Sequence, residues 1–378
     1  NNLSEALIVL FDGVKFTVEN FVFNFCTVNE EGHRRKVAQK GDSRKWRKYL
    51  DSRRIAGTMA PTMMKISKAF VLGAGLGKRL RPLTDHLPKP LVPVWNRPLI
   101  SYAFDHLIAD LGVSEFAVNT HHCPDRYGES FPDGQYEGHP LHFRHEPTLL
   151  DTAGGIDNLR DWLPVGEPFL VYNGDILTDL PLRPAWEQHI RGDDVVTLLL
   201  RSKGDELRVG FDPETSKVVD MRGVLAPDWP LRFQFTGIYL VSPAFLRYLT
   251  PGKIESVVFP LLKAIQDGRK VGGIVVDEGA WSDLGERNAY LNALHIDGSF
   301  PRYGAGSPDR ISPRATIAAT AMIDAVSAVG ADAVIGEGSV LEESVIWSGA
   351  VVAPGAHLRR VVVRTGQSAS GDLDSVDL

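Results

Sequence analysis

Cysteine is nearly missing from this chain: its 378 residues hold two, Cys26 and Cys123. Two thiols make neither a disulfide framework nor a zinc cluster, so a reducing, cytoplasmic setting is expected. Long apolar runs are missing as well. None approaches the roughly 18 residues that cross a bilayer, so no membrane partner is expected. The early run "ALIVLF" is shorter than a signal core and is followed by Asp12, not by a cleavage site. Excess positive charge is also missing. The formal net charge of −6 argues against nucleic acid as a partner. What remains, 43% hydrophobic and 23% charged residues, is the balance of an ordinary soluble globular protein. The length suggests two or three domains.

Residues 1–63 differ from the rest of the chain and read as an extension or a remnant of an upstream module. The chain starts at Asn1, not Met, as an open-ended fragment would. "ALIVLFDGVKFTV" predicts a hairpin turning at Asp12-Gly13. "NFVFNFCTV" alternates as a half-buried strand does. The basic run "HRRKVAQKGDSRKWRKYLDSRR" reads as a solvated linker or helix.

Residues 64–297 alternate strands with helices. "AFVLG", "EFAVNTHH", "LHFRHE", "PFLVYNGD", "VVTLLLRS" and "FQFTGIYLV" read as strands. "PLISYAFDHLIADLG", "AGGIDNLRDWL" and "VVFPLLKAIQDG" read as helices. This pattern predicts an α/β, Rossmann-like domain with a mixed, mostly parallel sheet. Ligands then sit at the carboxyl ends of strands. Residues 298–310 read as a linker. From 311 to 370 the period changes to six. Ile311, Ile317, Ile323, Val329, Ile335 and Leu341 recur, and after one five-residue step Ile346, Val352 and Leu358 resume it. Such hexads predict a short parallel β-helix with its aliphatics inside. Its outer face, with Val345 and Trp347 taken as exposed, is expected to mediate homo-oligomer formation.

The stretch "KAFVLGAGLGKRLRPLTDHLPKPLVPV", residues 68–94, lacks the spacing of two familiar phosphate loops. A Walker loop needs four residues between its glycines, then Lys and Ser or Thr. Here three residues separate Gly73 from Gly77, and Arg79 follows Lys78. A dinucleotide fingerprint needs G-x-G-x-x-G and an acid about 20 residues on. Here the order is G-x-G-x-G, and no acid lies around Asn96 and Arg97. Instead the glycines are followed by Lys78, Arg79, Arg81 and the proline-flanked Lys89. Cations beside backbone N–H groups suit a polyphosphate. Two acids, Asp175 in "VYNGD" and Asp283 in "WSDLGE", could share a magnesium ion. No convincing Ser/His/Asp or Cys/His set is present. Adjacent His121 and His122 point to opposite faces of a strand and read as pocket-lining or structural.

"LGAGLGKRLRPLT", "PKPLVPV", "LLDTAGGI", "VYNGDILTD", "FTGIYLVSP" and "WSDLGE", in this order, resemble the signature of the sugar-1-phosphate nucleotidylyltransferases. The resemblance covers residues 66–297, and the hexads extend it, since many members carry a left-handed β-helix. It is similar to both mannose-1-phosphate guanylyltransferases and N-acetylmuramate-1-phosphate uridylyltransferases. The resemblance implies that a nucleoside triphosphate and a sugar 1-phosphate are the partners and Mg2+ the cofactor. Gly73, Ala74, Gly75 and Gly77 would wrap the nucleotide, with Leu72, Lys78 and Thr152 beside it. Lys78 departs from the Thr that many relatives carry. Gly154 and Gly155 would lie against base or ribose. Arg79 would hold the departing phosphates, and Lys89 would sit at the α-phosphate and the sugar phosphate. Asp175 and Asp283 would bind the metal. Asn173, Thr236 and Gly237 would line the sugar pocket. Two other readings are an acyltransferase using His357, which sits in the hexads, and a non-catalytic regulatory relative. The second would be expected to lose Arg79, Lys89, Asp175 or Asp283, and all four are present.

Overall fold

The computed structural model describes residues 66–296 and 309–378, together with four short strands before residue 39. The chain divides into two units, Asn1–Met64 and Lys65–Leu378. In the first, Ile8–Phe11, Val14–Glu19, Val22–Val28 and Arg34–Ala38 form an antiparallel sheet in chain order. Phe11 pairs with Val14, while the turn expected at Asp12-Gly13 lies outside the described residues. The basic run needs correction at its start. Arg34–Ala38 is a strand, because its backbone completes the ladder of Val22–Val28 from Val28 opposite Arg34 to Asn24 opposite Ala38. The rest of that run lies outside the described residues.

The second unit holds a ten-stranded sheet. Lys68–Leu72 lies between Glu115–Thr120 and Phe169–Asn173, parallel to both. His139–His145 lies beyond Glu115–Thr120, also parallel. The chain therefore winds to one side of Lys68–Leu72 for two strands and then returns to its other side. That reversal makes a crevice at the carboxyl ends of the two adjacent strands, where Leu72 and Asn173 are register partners. From Phe169–Asn173 outward the sheet is mainly antiparallel. Arg232–Val241 runs against it, and the hairpin Leu207–Asp212 with Lys217–Met221 extends the ladder. The expectation of a mostly parallel sheet is thus corrected to a mixed sheet with a parallel centre. Helix Leu99–Leu111 starts after Pro98 and stops at Gly112, whose φ of 67° an L side chain rarely adopts. The helix read at "AGGIDNLRDWL" is Asp151–Asp157 and ends early, with turns beyond it. Among the described residues, no helix is long and apolar enough to cross a membrane.

The hexads fold as three parallel sheets of short strands. Thr316 pairs with Val334 and Val334 with Val351, so the second of these coils is one residue shorter than the first, as the five-residue step requires. Ile335, Leu341, Ile346, Val352 and Leu358 are buried inside. Coiling continues past residue 370, because Asp372–Asp374 pairs with His357–Arg359. His357 stands on an outer face near Glu342.

The outer face needs a larger correction. Val345 is 3% and Trp347 5% exposed. With Ala328 and Val362 they pack in one cluster with Leu80, Leu83, Val92, Tyr102 and Leu291. Trp347 Nε1 donates to Tyr290 Oη at 3.2 Å, and that hydroxyl donates to Pro93 O at 2.6 Å. Asn96 Nδ2 reaches the carbonyls of Asp309, Arg310 and Val329. One of the three outer faces is therefore docked on the α/β domain. A six-residue period tells which side chains point inward. It carries no information about which outward face meets another domain.

The docked face can be tested at its largest side chain. Trp347→Ala should lower the unfolding free energy by about 3–5 kcal/mol in a denaturant melt. A loss of about 0.5 kcal/mol or less, the scale of a surface substitution, would contradict the docked face. A further test concerns His106 and His189. His106 joins helix Leu99–Leu111 to Tyr172 Oη at 3.1 Å and Leu180 O at 2.8 Å. His189 bridges Thr197 and Ser242. Burial pushes both imidazoles down from 6.5 to about 4. The folded chain thus takes up these protons less readily than the unfolded chain. The stability from the neutral rings is complete above pH 6.5 and is lost as pH falls toward 4. The melting temperature should decline across that window, and less steeply in a His106→Gln, His189→Gln variant. Equal slopes in both proteins would refute this.

Candidate active site

The site begins where strand Lys68–Leu72 ends. Gly73 N and Ala74 N donate to Asn119 Oδ1 at 2.7 and 3.3 Å, and Tyr127 Oη donates to Gly73 O at 2.9 Å. A Cβ on Gly73 would stand 2.6 Å from that hydroxyl, so only glycine fits. Gly77 turns the chain with φ 59°, and Thr84 Oγ1 donates to its carbonyl at 2.8 Å. Among the described residues, the N–H groups of Gly75, Leu76 and Gly77 have no protein partner. They remain open to an acceptor, and a Cβ on Gly75 would meet nothing within 4 Å.

Two prolines shape the adjoining segment. Pro88 caps and Pro90 sits within a single 3-10 turn, Lys89–Leu91, and together they flank Lys89, whose side chain points inward. Its side chain is 7% exposed. Lys89 Nζ donates to Asp175 Oδ2 at 2.7 Å and to Asp283 Oδ1 at 3.1 Å. These two acids lie 108 positions apart in sequence by their numbers. A two-stranded ribbon brings them together: Ile176 pairs with Asp283, and Leu284 N donates to Asp175 O at 3.1 Å. Arg79 lies beside them. One of its nitrogens is 3.1 Å from Glu286 Oε1 and another is 3.7 Å from Asp283 Oδ2.

Two clefts meet at this cluster. The first, of about 560 Å3, is lined by Leu72, Ala74, Gly75, Gly77, Lys78, Arg79, Lys89, Thr152, Asn173 and Asp175 among others. The second, of about 610 Å3, includes Arg79, Asn173, Asp175, Thr236, Gly237 and Asp283. Both volumes suit small-molecule ligands. Arg79, Asn173, Asp175 and Gly285 line both. A ligand in each would thus meet the other at the Lys89–Asp175 pair.

Three of the expected residues stand away from the clefts, and the hydroxyls of two that line them bond to backbone. Gly73, Gly154 and Gly155 line neither cleft. A Cβ on Gly154 would stand 2.5 Å from Lys253 O, and one on Gly155 3.1 Å from Asn119 Nδ2. These two glycines let a short helix pack closely against Lys253 and Asn119. Thr236 Oγ1 donates to Leu199 O, and Thr152 Oγ1 accepts from Val257 N. His121 and His122 bind the carbonyls of Glu146 and Thr84 and so tie loops together.

Sequence reasoning missed Asn119 and Glu146. Asn119 Nδ2 donates to Glu146 Oε1 at 2.8 Å, and Glu146 Oε2 accepts from Leu150 N at 2.9 Å. The one available signal was an Asn at the end of a buried strand, where an amide finds backbone groups to bind. It also missed Asp151, Glu286 and Gly285. The glycine matters because Arg79 lies directly over it, 2.6 Å from where a Cβ would be.

The donor set fits magnesium in one respect. Asp175 and Asp283 converge on one cation and remain 36% and 42% exposed, so phosphate oxygens can complete a shell around them. Among the described residues, no group of three or more His, Cys, Asp or Glu forms a self-sufficient metal site.

Residues 68–298 match the nucleotidyl transferase family. The chain belongs to that family. This bears out the resemblance read from the glycine loop and its companion motifs. A probable mannose-1-phosphate guanylyltransferase of Oryza sativa subsp. japonica is 31% identical over 61% of this chain and 64% of its own length. A UTP–glucose-1-phosphate uridylyltransferase of Synechocystis is 26% identical over 60% of this chain and 62% of its own. The chain thus spans less than two thirds of the length of these curated relatives. Among solved structures, an inositol-1-phosphate CTP transferase from T. maritima superposes with a TM-score of 0.51 at 20% identity, over 60% of this chain and 92% of that one. That likeness supports the fold.

Asn119 gives a test of the loop's architecture. Asn119→Ala leaves the Gly73 and Ala74 N–H groups and one Glu146 oxygen without their partner. The expected cost is about 1–3 kcal/mol in a denaturant melt, with faster hydrogen exchange at those two amides. Unchanged exchange would show that the loop is held otherwise.

Proposed function

We propose that the chain transfers a nucleoside monophosphate from a nucleoside triphosphate to a sugar 1-phosphate, releasing pyrophosphate. The observation that carries this reading is the Lys89 ammonium between Asp175 and Asp283, where the two clefts meet. The first cleft, with its unpaired N–H groups, Lys78 and Arg79, suits the triphosphate. The second suits the sugar.

The nucleophile is an oxygen of the sugar phosphate. Its second pKa near 6 leaves it largely ionised at neutral pH, so no general base is required. It attacks the α-phosphorus; the bond to the β-phosphate oxygen breaks, and the electron pair leaves with pyrophosphate. The obstacle is the approach of two anions. Lys89, held by its prolines and two carboxylates, is placed to draw both phosphates to one point. Arg79 borders both clefts and can neutralise the departing pyrophosphate. Asp175 and Asp283 would hold magnesium, which when bound neutralises phosphate charge. The acceptor and donor are of the mannose 1-phosphate and GTP type, or the amino-sugar 1-phosphate and UTP type. The first matches the name of the rice relative; the second shares only its nucleotide with the Synechocystis one. Self-association through the coil would use its undocked faces, where Met322, Val334 and Val351 are exposed.

The test is a matrix of nucleoside triphosphates against sugar 1-phosphates, read by pyrophosphate release with and without magnesium. One pair should dominate and should require the metal. Lys89→Ala and Asp175→Asn should each lower its turnover by about 10²–10³-fold while circular dichroism stays native. Near wild-type release from both variants would sink the mechanism, and release from no pair would sink the reaction.

A further inference from the structure

The hexad coil contributes no side chain to either cleft. From the contacts behind Arg79 we infer that the coil positions this arginine from two sides, through Asp377 and Arg287 on one and through Arg364 on the other. This rests on the proposed transfer reaction.

Arg79 is seated on the dipeptide Gly285-Glu286. It lies over the glycine and pairs with the Glu286 carboxylate at 3.1 Å. Both partners of that pair are 63% exposed, and exposed pairs hold a side chain only weakly. The seat must therefore be fixed from behind. The next residue, Arg287, begins helix Arg287–Asn292 and turns its side chain to the coil. Its Nε is 2.9 and 3.0 Å from the two Asp377 oxygens. Its terminal nitrogen also donates to the carbonyls of Arg360 and Val376. Asp377 is 7% exposed in this pair, so the anchor is far better sheltered than the seat it supports.

The other side is the chain leaving Arg79. Arg364 Nη1 donates to Pro82 O at 3.0 Å, and its Nε donates to Leu378 O at 2.6 Å. Leu80 and Leu83, which flank that carbonyl, are buried with Val345, Trp347 and Val362 of the coil. Arg79 thus leaves a backbone held by Arg364 and rests on a seat held by Asp377. None of Arg287, Arg364 and Asp377 lines either cleft. They are positioning residues for a cation that lines both.

The experiment uses the full chain. Asp377→Asn and Arg364→Gln are each made alone and with Arg79→Gln. Turnover with the best substrate pair, affinity for inorganic pyrophosphate by calorimetry, and melting temperature are measured for all. Each single coil variant should lower kcat by about 10- to 100-fold, the scale of a misplaced catalytic group, and weaken pyrophosphate binding. Its KM for the sugar phosphate should stay close to wild type. In the Arg79→Gln background the same substitution should cost no further activity, while the melting temperature falls equally in both backgrounds. An equal fold-loss with and without Arg79 would overturn the inference, because the coil would then act through general stability. Should Asp377→Asn fail to fold, Arg364→Gln decides by the same pattern. Pyrophosphate affinity that depends on Arg79 but on neither coil residue defeats the inference and leaves the transfer reaction standing. Affinity indifferent to Arg79 defeats both.

Discussion

Everything at the site is arranged around one ammonium group between two carboxylates. A cation as buried as Lys89 requires anions close by, and the carboxylates require a cation between them. Three segments that are remote in sequence must meet to satisfy this. The proline-containing turn delivers the lysine, the switch between parallel strands delivers Asp175, and the small ribbon delivers Asp283. Two clefts then open on either side of the triad because the sheet changes direction there. The open sides of the carboxylates keep the cluster accessible, so a charged ligand can join it without being fully desolvated.

The second constraint is the docked coil. A parallel coil buries its aliphatics internally and would be complete as a solenoid. This one instead places Trp347, Val345 and Val362 on the domain that bears the glycine loop. Their partners Leu80 and Leu83 lie within a few residues of Arg79. The site therefore has a rigid wall behind it as well as a sheet beneath it. The glycine loop itself contains few side chains that could hold it from within.

How much was legible beforehand depends on the range of each interaction. The sixfold period is local, and so the coil and its inward residues could be read directly. The order of motifs identified the family and the charged groups of the cleft. Pairing was harder. Nothing local to Asp175 points to Asp283, because their meeting depends on a ribbon closed across the chain. Gly154 and Gly155 stand away from both clefts, and their sequence could not say so. A glycine is needed both where a ligand approaches and where protein atoms approach, and here the close neighbours are the Lys253 carbonyl at Gly154 and the Asn119 amide at Gly155. Asn119 left only the faint signal of an amide ending a buried strand; its importance comes from the two N–H groups it holds. The docking face failed as well, since Val345 and Trp347 look alike in sequence whether they meet water or another domain.

The chemistry also explains what this site does without. Groups with displaced protonation often mark a site, because acid–base catalysis requires tuned pKa values. Here the imidazoles moved furthest, His106 and His189, line neither cleft and serve to join helices to the sheet. Phosphate arriving already ionised needs no proton removed. It needs its charge met at a fixed point, and fixed cations do that only if their own positions are enforced. Lys89 is enforced by burial and by two acids. Arg79 is 63% exposed and has no such shelter, so its position depends on what stands behind it. A fold that must hold an exposed arginine in place has reason to keep a rigid coil pressed against the loop that carries it.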